Sequence, residues 1–307
     1  MADAPHSTPA SGEPGGKITR RDWPVYRNNL SDFLHNAQLR KNVSFCWEVE
    51  ITLVLERVER VQRETKIALS LNAYWIYLFA QAVQQHPTMQ AVRVPWRRQI
   101  AHYDGVDVGT AVEQRVPGYG SIAVPYTIRD ADKKSLAQIC VELRGARKRN
   151  LIAEDPGLRM RGRLAHFPRF ARLLFWKWVD LNPARRRRIR GTVGITNLSF
   201  LSDQQRPAFG MPLALLPSNL AVGSTYPKLV PCATDPRGFR VATMLCLTLT
   251  SDHEIVDGAP MVRFGRTLTQ AIERADGLDD ALGAQLIRAF RPTPAEAAAT
   301  DSPASAP

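Results

Sequence analysis

No stretch of this 307-residue chain is apolar for long enough to cross a membrane. The opening MADAPHSTPASGEPGGK lacks the apolar segment of a secretory leader. Both absences lead us to expect a cytoplasmic protein. Cysteine is scarce: Cys46, Cys140, Cys232 and Cys246 stand far apart with no Cys-x-x-Cys spacing. That argues against a metal site or a disulfide framework and for isolated buried thiols. Acidic residues are scarce in one segment only. Residues 144–190 hold 15 of the 41 lysines and arginines but just three acids, Glu154, Asp155 and Asp180, while the rest of the chain balances 26 bases against 26 acids. The formal charge of +12 is therefore local. A general nucleic-acid binder spreads its bases over a broader face, so nucleic acid is not expected as a partner.

What is present is alternation. Residues 1–17 and 292–307 are rich in Pro, Ser and Ala and read as disordered tails around a single domain at 18–291. Between them VSFCWEVEI (43–51), VDVGTAV (106–112), SIAVPYTI (121–128), GTVGITNLSF (191–200), NLAVGSTY (219–226) and ATMLCLTLTS (242–251) read as strands. Helices are expected at 53–65, with Leu53, Val54, Val58 and Val61 on one face, and at 70–87 after a Ser70 or Asn72 cap. Two more fall at 132–149, capped by Asp132, and at 259–275, with Met261, Phe264, Leu268 and Ile272 inward. The mixture predicts an α/β fold: a large mixed sheet covered by helices.

SDHEIVDGAP (251–260) places His253 between a strand and a helix, where side chains line clefts. Asp257 as a helix cap and Gly258 as a turn residue would explain the Asp-Gly pair without chemistry. His86, before Pro87 at a helix end, reads as structural, and no role is assigned to His35, His102 or His166.

The wider context resembles a known family. LTLTSDHEIVDGAPMVRFGRTL is similar to the S-x-D-H-R-x-x-D-G strand, turn and helix of the 2-oxoacid dehydrogenase acyltransferase catalytic domain. SLNAYWIYLFAQAVQQHPTMQA, VDVGTAVEQRVPGYGSIAVPYTIRDADKKSLAQI, GTVGITNLS and NLAVGSTYPKLV resemble that family's other stretches, in the same order. Together they span residues 18–275 apart from one insertion. The resemblance implies the two-layer mixed sheet shared with chloramphenicol acetyltransferase, assembled as a trimer or something larger. It implies acyl transfer between a coenzyme A thioester and a thiol or other nucleophile. His253 would be the base, Thr196 the hydroxyl that stabilises the oxyanion, and Asp257 the residue that holds the loop through Arg27. Asn197 and Gly258 would shape the site. His253 of one chain would work with Thr196 of its neighbour.

Four departures matter. No swinging-arm lysine motif or carrier domain is found, so covalent lipoyl is not expected on this chain and a carrier protein would act in trans. No metal is expected. Glu254 stands where the family has arginine, and Ser199 where it has glycine. These keep open a non-enzymatic scaffold, and an acyltransferase for lipids or secondary metabolites.

The largest departure is the insertion at 149–190. FPRFARLLFWKWVDLNPARRRRIR places Phe170, Leu174, Phe175, Trp178, Val179 and Leu181 on one helical arc, with Trp176 intruding opposite. Pro168 suits its start and Pro183 its end. Phe170, Leu174, Trp176 and Trp178 together with Arg185, Arg186, Arg187 and Arg188 are expected to form a partner surface or an anionic-membrane surface. Packing on its own subunit, or binding coenzyme A phosphates, would use the same residues.

Overall fold

A computed structural model describes residues 23–25, 27–94, 97–116, 120–199, 206–212 and 215–290. The expected tails and Phe200 lie outside them. The strands are β1 (Asn42–Glu50), β2 (Val92–Val94), β3 (Gln99–Ala101), β4 (Val108–Val116), β5 (Gly120–Ile128), β6 (Val193–Asn197), β7 (Ser218–Pro231) and β8 (Phe239–Asp252). The helices are α1 (Arg27–Gln38), α2 (Thr52–Thr65), α3 (Leu71–Gln85), α4 (Leu136–Lys148), α5 (Leu151–Glu154), α6 (Pro156–Leu164), α7 (Arg169–Asp180), α8 (Pro183–Arg190), α9 (Gly258–Glu273) and α10 (Ala281–Phe290).

Six strands form one mixed sheet in the order β1-β8-β7-β6-β4-β5. β6 runs parallel to both its neighbours; the other pairs are antiparallel. Strands β2 and β3 make a separate hairpin. Leu245, Leu247 and Leu249 point into the core shared with α2, α3, α4 and α9. Burying each contributes about 1.5–3 kcal/mol. The intervening Cys246, Thr248 and Thr250 are buried as well, so the alternation of β8 does not separate core from solvent. Thr250 shares a 2.8 Å hydroxyl contact with Ser44 across the β1 pairing. Helix α9 buries Met261, Phe264, Leu268 and Ile272 as its spacing predicts.

Several local expectations are corrected. Helix α4 begins four residues after Asp132, at a reciprocal capping box between Ser135 and Gln138. Asp132 instead accepts the Val106 N–H at 2.7 Å. Leu53 faces outward because the buried stripe of α2 runs through Val54, Val58, Val61 and Thr65. Cys140 and Cys246 are buried, but Cys46 is exposed. His86 donates to or accepts from Thr267 at 2.8 Å and meets Phe264 edge-on, a packing role; burial lowers its pKa.

The insertion folds as helices α5–α8, held together and bound to the domain largely by its own arginines. Arg172 pairs with Asp32 of α1 at 2.7 and 3.0 Å, with both side chains buried. Arg187 meets Asp107 at 2.9 Å, and Arg129 joins the same carboxylate while donating to the carbonyls of Arg187 and Arg188. Arg190 pairs with Asp180 at 2.6 Å, Arg186 donates to the Leu215 carbonyl, and Arg161 to that of Ile189. Burial pushes Arg186 and Arg190 down to about 10. Gly191, at φ +84°, ends α8; a side chain there would press on the Asp107 carbonyl.

This corrects the expected surface. Trp176 is buried beneath Arg190, whose guanidinium lies 4.8 Å from the ring centroid. Arg186 is buried, and Arg187 is committed to Asp107. The buried ridge of α7 is Arg172, Trp176 and Val179. The pair with Asp32 turns the helix so that Phe170, Leu174, Trp178 and Leu181 face out.

Candidate active site

The site is built where β8 ends. Asp252 is its last residue, buried, and its carboxylate takes Arg40 at 3.0 Å and the Glu254 N–H at 3.2 Å. The Asp252 carbonyl accepts the N–H groups of Ile255 and Val256, closing the turn. His253 N–H donates to the Lys41 carbonyl at 2.8 Å, tying the turn to the start of β1.

The imidazole is oriented by one contact: His253 Nδ1 lies 3.0 Å from the Val256 carbonyl oxygen. A carbonyl only accepts, so Nδ1 carries the proton and donates it. In the neutral ring the lone pair is then on Nε2. His253 is about half exposed, so a reacting group can reach that nitrogen.

Asp257 lies 3.8 Å from His253 Nδ1 and is largely exposed. It occupies the N-cap position of α9 without a side-chain capping bond. The expected Arg27–Asp257 pair is not among the ion pairs of the described residues, and Arg27 lies exposed on α1. The arginine that secures the turn is Arg40, through Asp252 rather than Asp257. Gly258 is outside the left-handed region, and a side chain there would meet nothing within 4 Å, so no tight turn requires it.

Glu254, the reversed charge, is held by Lys41 at 3.1 Å and Arg93 at 3.8 Å. It borders a groove of about 460 Å³ lined by Arg93, Arg97, Arg98, Ile100 and Ile255 as well. These β2–β3 arginines went unnoticed in the sequence, where they look like ordinary surface charge.

Thr196 and Asn197 close β6. Asn197 Oδ1 accepts the N–H and hydroxyl of Ser199 at 3.0 and 2.7 Å, so the residue replacing glycine is built into the local turn. The structure does not bring Thr196 and His253 together within one chain. Register aligns Thr196 with Ala221 and Ala221 with Thr248. Two strand spacings across and five residues along β8 put the two residues about 19 Å apart. Among the described residues no three His, Cys, Asp or Glu side chains gather as metal ligands.

Fold and sequence comparisons identify the class. The chain overlays on dihydrolipoamide acetyltransferase of Azotobacter vinelandii with a TM-score of 0.62, covering 90% of this chain and 99% of that one at 18% identity. A probable dihydrolipoamide acetyltransferase from Listeria monocytogenes 4b F2365 gives 0.60, covering 84% and 95%, also at 18%. At that identity the likeness is one of fold. The sequence goes further: the model of the family described as 2-oxoacid dehydrogenases acyltransferase (catalytic domain) matches residues 18–154 and 191–278, and the chain belongs to that family. A curated relative, the mitochondrial dihydrolipoyllysine-residue acetyltransferase component of the pyruvate dehydrogenase complex of Schizosaccharomyces pombe, is 28% identical over 241 residues, 76% of this chain and 42% of that protein. The Mycoplasma genitalium counterpart is 27% identical over 207 residues, 67% and 44%. The chain thus spans less than half the length of these relatives.

Proposed function

We propose that the protein transfers an acyl group between a coenzyme A thioester and a thiol or other nucleophile, with His253 as general base. The orientation of its ring carries the reading: Val256 holds the proton on Nδ1 and leaves Nε2 ready to take another. Nε2 removes the acceptor's proton, and the acceptor attacks the thioester carbonyl. The oxyanion of the tetrahedral intermediate accepts a hydrogen bond from the Thr196 hydroxyl of a neighbouring chain. Collapse breaks the carbon–sulfur bond, and the leaving thiolate recovers the proton from His253. The in-chain separation of Thr196 and His253 supports a trimer in which each site is shared. Arg93, Arg97 and Arg98 form a positive wall beside the turn, suited to the phosphates of coenzyme A.

The test is thiol release from a panel of acyl-coenzyme A thioesters with thiol, amine and hydroxyl acceptors. His253→Ala is expected to lower turnover by roughly 10²–10⁴-fold while the protein stays folded. Full turnover in that variant, or none in the wild type with any pair, overturns the reading; the second result favours a scaffold.

A further inference from the structure

The family match skips residues 155–190, so the site chemistry does not account for α6–α8. That segment has eleven lysines and arginines and two acids, Asp155, which caps α6, and Asp180. Five of the eleven, Arg161, Arg172, Arg186, Arg187 and Arg190, make the inward contacts described above. Asp180 is consumed by Arg190. Six cations remain outward: Arg159, Arg163, Arg169, Lys177 and Arg188, which are exposed, and Arg185, which stacks 3.5 Å from the Trp178 ring centroid.

Among them runs an apolar ridge at intervals of one helical turn. Phe170 is 75% exposed, Leu174 66% and Trp178 48%, with Leu181 following. Phe167, just before the helix, is exposed as well. The opposite ridge of α7 is fixed by the buried Arg172–Asp32 pair, so the helix cannot roll these side chains inward without breaking it. Soluble surfaces seldom display such a patch unless something covers it.

We propose that this ridge docks on an anionic lipid surface. Arg169 and Lys177 on the same helix, and Arg185 stacked on Trp178, put positive charge beside it. The same face of a second copy would bring like charges together. Aromatic and leucine side chains entering the headgroup boundary, with arginines among the lipid phosphates, satisfy both features at once. The acyl-transfer site would then work beside a membrane.

The experiment is co-sedimentation of the full chain with vesicles of phosphatidylcholine containing phosphatidylglycerol, and with phosphatidylcholine alone. Wild type is expected to sediment with the anionic vesicles and to be released by about 0.5 M salt, which screens the arginines. Phe170→Ser/Leu174→Ser/Trp178→Ser is expected to partition about tenfold less, with unchanged melting temperature. Arg169→Gln/Lys177→Gln/Arg188→Gln is expected to lose the preference for anionic lipid. Failure of wild type to bind anionic vesicles, or equal binding by the ridge variant, overturns the proposal. A change in solution mass in the ridge variant also overturns it, assigning the ridge to a contact between copies.

Discussion

Arg40 and Asp252 show how a single pair can govern a site without touching the chemistry. Asp252 is buried and caps the turn that carries His253. Removing its partner leaves a carboxylate in a poorly solvated place, at a cost of about 3 kcal/mol. Arg40→Met is therefore expected to lower the melting temperature measurably and to reduce turnover, with Arg40→Lys recovering part of both. Thermal melts and thiol-release assays on the two variants check this. His253 itself was legible in the sequence because strand periodicity, a turn and helix periodicity meet there. Arg40 was not, because its role depends on the antiparallel register of Asn42 with Asp252, which no local pattern reveals.

At the scale of elements, the six strands of the main sheet and the long helices α3 and α9 followed from periodicity, whereas the short β2–β3 hairpin carried no such signal. Helices α1 and α10 were not foreseen. The start of α4 was misplaced because Asp132 and Ser135 are both good caps, and only Ser135 completes a box with Gln138. Helix α7 was recognisably amphipathic, yet its orientation was hidden. Its polar arc holds Arg172, and Asp32 lies 140 residues away. Arg172→Met should free the insertion at a cost of about 3–5 kcal/mol, because it strands a buried carboxylate. Limited proteolysis is expected to cut within 155–190 in that variant and not in wild type.

The second anchor of the insertion carries a pH dependence. Burial would raise the Asp107 carboxyl, but hydrogen bonds from Arg187, the Asp130 N–H and Arg129 outweigh it and hold its pKa below the ordinary range. A depressed acid stabilises the folded form above its unfolded value of about 3.9 and loses that contribution as pH falls through the folded value. Protease sensitivity of the insertion should therefore rise below about pH 4, and Asp107→Asn should show much of that sensitivity already at pH 7.

At the scale of the whole molecule, the separation of Thr196 from His253 makes a prediction about assembly. If each site takes one residue from each of two chains, His253→Ala and Thr196→Ala chains are both inactive alone. Mixed and reassembled in equal amounts, they should recover about a quarter of wild-type turnover, since one interface in four pairs an intact His253 with an intact Thr196. No recovery in a mixture shown to exchange subunits would mean that the residues do not meet across chains.

The points where the insertion enters and leaves also say how such an appendage can come and go. Gln114, near the end of β4, holds the Arg149 carbonyl at 2.6 Å on the way in. Asp107, just before β4, accepts the Thr192 N–H at 2.9 Å on the way out. The two anchors lie seven residues apart along one strand, about 23 Å. A direct splice from 149 to 191 would tear the sheet, whereas a bridge of about eight extended residues would span it. Lengthening that bridge into four helices adds only a slowly growing closure entropy. Grafting or excising helices α5–α8 is thus a matter of chain length along β4, independent of the strands that position His253.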